Sequence, residues 1–322
     1  MHYLGIEIGG TKLQVGVGPD DGRLRGLWRG KVDLAAGPAG IRRQIVEAVP
    51  AALAEAGLTK NQVCGVGIGF GGPVDDTTRT VIKSHQIEGW DGFPLADWIS
   101  DAIDLPAVLG NDGDVAGLGE ATHGAGKGLS PIFYITVGTG IGGGLVIDGK
   151  IYRGIGRGAA EIGHLRVPSM DLQETPLVEL LEEVASGPAI EERAEVCVRG
   201  RPESALARLA GEDDPVTARH VAVAIREGDP HALFAMRLAI EPLAEAICSV
   251  IALLCPRRIV IGGGVSLMGE KVFFRPLRRH VKKLVFRPFA GLTDIVPAAL
   301  GEEVVVHGAI RLARQKLGEQ GG

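Results

Sequence analysis

The chain has 322 residues, 45% of them hydrophobic and 23% charged, with 49 glycines and a formal net charge of −5. That length holds two ordinary domains with a sizeable core, and the negative balance argues against a broad nucleic-acid footprint. Cys64, Cys197, Cys248 and Cys255 form no C-x-x-C pair and read as thiols of a reducing, cytoplasmic compartment. The most apolar run, 246–254, falls short of the roughly 20 residues that a bilayer span needs.

Met1 and His2 lead straight into a strand, Tyr3 to Ile8, which leaves no room for a signal peptide. Lys12 to Gly18 alternates and reads as its hairpin partner, with Gly9-Gly10 at the turn. Leu24 to Asp33 is the expected third strand. Ile41, Ile45, Val49 and Leu53 predict a helix over Pro38 to Ala56, stopped by Gly57. Val63 to Phe70 reads as a strand ending in Gly71-Gly72-Pro73, Leu95 to Ile103 as a helix, and Ala107 to Gly110 as a short strand delivering Asn111-Asp112 to a helix over Val115 to His123. The pattern then restarts. Pro131 to Val137 and Gly143 to Ile147 form a second strand pair around a glycine turn, and this echo suggests two similar halves. Pro176 to Cys255 is expected to be mostly helical. Arg258 to Ile261 reads as a strand running into Gly262-Gly263-Gly264. Arg275 to Lys283, mixed with Leu277 and Val281, reads as the solvated face of a helix, Val304 to Leu317 as a closing helix, and Gly318 to Gly322 as a frayed tail. Strand sets alternating with helices imply α/β layers.

Several segments carry chemistry. Gly9-Gly10-Thr11-Lys12 fits neither a Walker A loop nor the Rossmann fingerprint. It is either a plain hairpin turn or a turn whose N–H groups and Thr11 hydroxyl face a phosphate, with Glu7 beside it to hold a hydrated Mg²⁺. Five glycines among the seven residues Gly138 to Gly144 are more than a structural turn usually needs, so the segment reads as a phosphate-binding loop in preference to a merely tight turn. Gly262, Gly263 and Gly264 form either a strand-to-helix turn or a backbone seat for a base and ribose. Asn111-Asp112 is either a helix N-cap or a general base, since phosphoryl transfer to an alcohol needs a carboxylate within reach of the hydroxyl. Glu161 and His164, three apart, form a surface pair, bind adjacent sugar hydroxyls, or ligate a metal, although one His and one Glu are too few for a closed zinc site.

Taken in order along nearly the whole chain, these segments resemble the ROK family of bacterial sugar kinases and sugar-responsive repressors. Gly5 to Lys12 resembles the first phosphate motif, Gly67 to Asp75 the sugar-side loop, Asn111-Asp112 the catalytic pair, and Gly138 to Gly144 the second phosphate motif. Ala159 to His164 and Leu181-Glu182 resemble the sugar-binding segments, and Gly262 to Val265 the adenosine motif. The resemblance implies an α/β, two-domain actin-like ATPase (ribonuclease H-like) fold with a cleft between the domains. The expected division is a small domain over 1–112, with the helix 304–317 packing back on it, and a larger domain over 113–303. It further implies ATP-dependent phosphorylation of the 6-hydroxyl of glucose or a related hexose. Asp112 would be the base. Gly72, Asn111, Glu161, His164 and Glu182 would bind the sugar, and Gly9, Gly10, Thr11, Lys12, Gly138, Thr139, Gly140 and Gly262 to Gly264 would bind ATP, with Mg²⁺ near Glu7. A homodimer or homotetramer is implied, and no membrane or nucleic-acid partner is expected.

Three positions depart from the family pattern. Leu165 to Leu180 lacks the usual cysteines, so no structural zinc is expected. Glu7 stands where Asp is usual, and Gln86 precedes Gly89-Trp90 where Asn is expected. The rival readings are a non-catalytic regulator, a kinase for N-acetylmannosamine, fructose or another hexose, and polyphosphate as donor. Family repressors carry a helix-turn-helix before the first glycine motif, where this chain has only Met1 and His2.

Overall fold

The computed structural model describes residues 1–84, 88–156, 158–211 and 214–318. The first half contains β1 (His2–Ile8), β2 (Lys12–Gly18), β3 (Gly26–Lys31), α1 (Gly37–Glu55), β4 (Val63–Phe70), the short strands β5 (Val74–Asp75) and β6 (Thr80–Val81), α2 (Leu95–Ile103), β7 (Ala107–Asn111) and α3 (Asp112–Thr122). The second half contains β8 (Ile132–Val137), β9 (Ile141–Ile147), β10 (Lys150–Ile151), β11 (Arg166–Met170), β12 (Pro176–Leu180), α4 (Leu181–Ala185), α5 (Gly187–Val198), α6 (Ala205–Ala210), α7 (Ala218–Arg226), α8 (Pro230–Leu254), β13 (Arg258–Gly262), α9 (Arg275–Leu284), β14 (Asp294–Pro297) and α10 (Val304–Leu317).

Two five-stranded sheets have the orders β3-β2-β1-β4-β7 and β10-β9-β8-β13-β14. Renumbered within each half, both read 3-2-1-4-5, so the internal echo in the sequence is a repeated topology. Chain contacts divide the molecule into a unit of residues 1–134, 144–160 and 298–322 and a unit of residues 135–143 and 161–297. The sequence reading put the break at 112/113. The contacts instead keep α3 with the first unit, because α3 packs closely on α10, as the near approach of Gly119 to Gly308 shows.

In the first unit, β1 alternates strictly. Leu4, Ile6 and Ile8 join a core with Ile41 and Ile45 of α1, Ile99 of α2, and Trp90, while Tyr3 packs on the other face with Val306, Ile310 and Ala313 of α10. The neighbouring β4 explains how α10 lies so close. Val66, Ile68 and Phe70 point into the first core, and the alternate positions are Gly65, Gly67 and Gly69. A Cβ on Gly67 would sit 1.8 Å from the Ala309 carbonyl oxygen, so only glycine admits the helix backbone there.

Most element boundaries agree with the sequence reading to within a few residues, and three differ in kind. Pro176–Leu180 is not helical. It pairs antiparallel with β11, Ser169 opposite Leu177 and Pro168 opposite Val178. Pro176 opens the strand, a position where its missing N–H costs little. The glycine run is not all turn, since β9 begins at Ile141 and takes in Gly142 to Gly144, leaving Gly138 to Gly140 as the turn. α3 begins at Asp112 rather than Val115, so the candidate base lies inside the first helical turn. Arg275–Leu284 is the helix expected, with Leu277 and Val281 buried. Gln86 and the tail beyond Gly318 lie outside the described residues. Among the described residues, no helix is long and apolar enough to cross a membrane.

Candidate active site

Each unit gathers one cluster of the residues singled out in the sequence. In the first unit the cluster forms where β1, β4 and β7 end. Hydrogen bonding joins these ends: Gly71 N–H donates to Ile8 O at 2.8 Å, and Gly9 N–H donates to Lys12 O at 3.0 Å across the hairpin turn. Asn111 caps α3, its Oδ1 accepting from Gly113 N–H (2.9 Å) and Asp114 N–H (3.3 Å). Its Nδ2 donates to Gly72 O at 3.0 Å. The N-cap reading of Asn111 is therefore correct for its oxygen, and its nitrogen ties the cap to the loop after β4. Asp112 follows, half-buried, with Oδ1 accepting from Gly113 N–H at 2.9 Å. Its Oδ2 lies beside Gly71, 3.4 Å from where a Cβ on that glycine would be.

Glu7 is 6% exposed, and its Oε1 is 3.1 Å from Lys12 Nζ. Lys12 also donates to Glu302 O at 2.9 Å. Burial pushes the Glu7 carboxyl up to about 7, against the pull of Lys12, and the Asp112 and Glu302 charges add to the rise. Glu7 Oε2 is buried with no hydrogen-bond partner, an acceptor left open for a hydrated cation.

Sequence reasoning missed the residues that hold α3 in place. Asp114, 2% exposed, pairs with Arg153 at 2.6 Å, and Arg153 also donates to Val74 O at 2.9 Å. Glu120, fully buried, accepts from Ala125, Ala299 and Leu300 N–H groups at 2.7–2.9 Å. Nothing in the local sequence signals these partners, which are up to 180 positions away.

In the second unit the cluster is built around the turn Gly138 to Gly140. Glu182, the second residue of α4, accepts from Ile141 N–H through Oε2 at 2.7 Å. Gly187 N–H, at the start of α5, donates to Gly138 O at 2.8 Å. Gly163 lies against Ile141, where a Cβ would come within 2.0 Å of the carbonyl oxygen, and Gly263, at φ +83, lies against Val137. Three separately chosen motifs (Ala159 to His164, Leu181-Glu182 and Gly262 to Gly264), together with Gly187, thus converge on one turn and the residues that flank it. Thr139 is exposed on it. Glu161 and His164 are both exposed and flank a single 3₁₀ turn, with His164 N–H donating to Glu161 O at 3.1 Å.

The stretch 165–180 is ordered without cysteine. β11 and β12 form a hairpin whose base is closed by Leu181 N–H donating to Leu165 O at 2.9 Å, which brings the neighbours His164 and Glu182 to the same end of it. Asp171 turns the tip, accepting from Gln173 and Thr175 N–H groups. Ser169 hydrogen-bonds Glu179, Glu174 pairs with Arg237, and Arg193 reaches Glu179 at 4.0 Å while donating to Val184 O and Leu238 O.

Residues 3–316 match the ROK family. The chain belongs to the ROK family. A glucokinase from Streptomyces coelicolor is 33% identical over 317 residues, 97% of each chain, and a glucokinase from Thermotoga maritima is 30% identical over 99% of each. The crystal structure of a ROK family glucokinase from Streptomyces griseus, in complex with glucose and AMPPNP, superposes with a TM-score of 0.83 at 33% identity, over 98% of this chain and all of that one. The actin-like ATPase fold of ROK kinases, with its mixed α/β halves, is therefore the fold of this chain. The residues of this ROK chain do not fit the zinc ion of the family pattern. The 165–180 hairpin supplies no thiolate, and its acids are engaged with Ser169, Arg193, Arg237 and the tip amides. Among the described residues, no group of three His, Cys, Asp or Glu side chains is placed to hold a metal ion.

Proposed function

We propose that this ROK chain is an ATP-dependent hexose kinase that phosphorylates the 6-hydroxyl of glucose or a closely related sugar. The observation that carries the reading is Asp112, a carboxylate at the first position of α3 whose flanking Asn111 is hydrogen-bonded on both sides. The kinase relatives at 30–33% identity over nearly the full chain support it.

Asp112 takes the proton of the 6-hydroxyl. The freed oxygen forms a bond to the γ-phosphorus in line as the bond from that phosphorus to the bridging oxygen breaks, and ADP leaves. Asn111, Gly72, Glu161, His164 and Glu182 orient the ring. Backbone N–H groups of Gly10 to Lys12 and of Thr139 and Gly140 take up phosphate charge, while Gly9 and Gly138 shape the two turns by donating to Lys12 O and Gly140 O, and Gly262 to Gly264 seat the adenosine. Glu7, with its Oε2 open, would be the residue to hold a hydrated Mg²⁺, which would supply neutralisation of phosphate charge.

The test is coupled ADP release over a panel of hexoses, with ATP and then polyphosphate as donor. Turnover with ATP and glucose is expected. Tight sugar binding without turnover on any sugar would make the chain a regulator. Asp112→Asn should lower kcat at least about 100-fold while sugar affinity stays within about tenfold. A near-normal rate would remove Asp112 from the mechanism.

A further inference from the structure

Glu182 belongs to the sugar-side residues, yet the carboxylate oxygen it commits within the protein is given to the phosphate-side turn. Its Oε2 accepts from Ile141 N–H at 2.7 Å, and a Cβ on Gly140 would sit 2.4 Å from that same oxygen. The carboxylate thus rests directly on the turn backbone. The carbonyl of Ile141 is occupied too, since Gly163, between Glu161 and His164, presses on the Ile141 carbonyl oxygen. The two successive peptides that flank the Ile141 Cα are therefore held, the first by Glu182 and the second by the segment that carries Glu161 and His164. Glu182 Oε1 has no hydrogen-bond partner among the described residues and is the oxygen left to accept from a sugar hydroxyl.

We propose that Glu182 is a positioning residue that couples the sugar site to the phosphate-binding turn through Ile141, so that sugar and nucleotide each tighten the binding of the other. The inference rests on the hexose-kinase reading. Its physical basis is that the Glu182 carboxylate has two oxygens on one rigid plane. A sugar hydroxyl that fixes Oε1 also fixes Oε2, and with it the Ile141 amide and the path of Gly138 to Gly140. A turn already held in place loses less conformational freedom on taking up phosphate, and by linkage the enhancement runs equally in both directions.

Calorimetric titration of the full chain with AMPPNP, alone and with saturating glucose, measures the coupling directly. The parent is expected to bind AMPPNP about fivefold or more tighter when glucose is present. Glu182→Ala should weaken AMPPNP binding even without sugar and bring that ratio to about one. Glu182→Gln keeps an oxygen acceptor for Ile141 N–H, so AMPPNP affinity alone should stay within about twofold of the parent while glucose binding falls. Gly140→Ala leaves Glu182 intact and displaces its carboxylate, and should reproduce the nucleotide defect. The Gly140→Ala/Glu182→Ala pair should be no worse than the poorer single variant, because both remove one interaction.

Unchanged AMPPNP affinity in Glu182→Ala and Gly140→Ala, with weaker glucose binding in the first, would overturn the coupling and leave Glu182 a sugar ligand only. Amide exchange gives a readout that needs no ligand. Ile141 N–H should exchange faster in Glu182→Ala than in the parent, with the far-UV spectrum and melting curve of that variant as the folding control, and equal protection would overturn the brace. Failure of the parent to bind AMPPNP at all would instead sink the kinase reading, whatever the exchange data give.

Discussion

The turn at Gly9 to Thr11 and the turn at Gly138 to Gly140 follow equivalent strands of the two sheets, yet they are held by different means. The first is held mainly from nearby in the chain: Gly9 N–H bonds Lys12 O, and Lys12 pairs with Glu7. A Cβ on Gly9 would come no closer than 3.3 Å to any atom, that of Lys12 O. The second has a local bond as well, Gly138 N–H to Gly140 O at 2.9 Å, but it is also held from far along the chain by Gly163, Glu182, Gly187 and Gly263, with Gly140 leaving room for Glu182 and the other three glycines lying against the turn backbone and its flanks. A glycine-rich motif is thus two different things in one molecule. It is a hairpin turn made by its own flanks in the first unit and a crowded junction in the second.

The largest effect that separates them is expected where β9 leaves the second turn. A Cβ on Gly144 would lie 2.6 Å from Gly113 O and 2.9 Å from Asp114 Cα, both backbone atoms of the first turn of α3. Backbone cannot step aside as a flexible side chain can, so Gly144→Ala should cost about 3 kcal/mol in a denaturant titration. It should also lower kcat by about 100-fold or more, because a shift of the helix start on the order of 1 Å carries Asp112 with it. A variant with parental stability and rate would mean that the glycines of β9 are there for the ligand and not for packing.

The next effect tests the buried acid beside the first turn. The Glu7 carboxyl, raised by burial to about 7, lies above its ordinary value of 4.5. Between those values the unfolded chain has released the proton that the folded chain keeps. The stabilisation is therefore complete below about pH 4.5 and is lost as the pH rises through about 7. The span corresponds to at most about 3 kcal/mol. Denaturant midpoints at pH 5 and pH 8 should fall more steeply for the parent than for Glu7→Gln. Equal slopes would show that Glu7 does not titrate in this window and that Lys12 holds it ionised throughout.

The same contrast explains what was legible in the sequence. The first hairpin, α1, α2, α10 and the strand before Asn111-Asp112 were legible because their signals are local: alternation in β1 and β2, helical spacing at Ile41 to Leu53, a capping residue ahead of α3. Each sits within a few positions of what it specifies. The 176–180 strand was not legible, because its leucines and valine fit a helix as well as a strand and only the partner β11 decides between them. Glu182 could be assigned to the sugar only through resemblance, and its bond to Ile141, 41 positions away, has no mark in the sequence around either residue. Arg153, a long-range partner of α3, and Glu120, an α3 residue whose own partners include Ala299 and Leu300, were missed for the same reason.

The smallest expected effect is the control for the whole contrast. Gly9→Ala places its new carbon 3.3 Å from one backbone atom, Lys12 O, and 4.0 Å from Lys12 Cγ, so a few tenths of an ångström of movement in the hairpin turn relieves it. Gly9 is absent from the residues with positive φ, so an alanine meets no left-handed strain there. The substitution also removes a little conformational freedom from the unfolded chain, which works in favour of the folded state. The two small terms oppose each other, and the net change should stay within about 1 kcal/mol, read from the same denaturant titration. A cost equal to that of Gly144→Ala would mean that Gly9 is enclosed by backbone as tightly as Gly144 is, and the picture of a first turn shaped by its own flanks would fall.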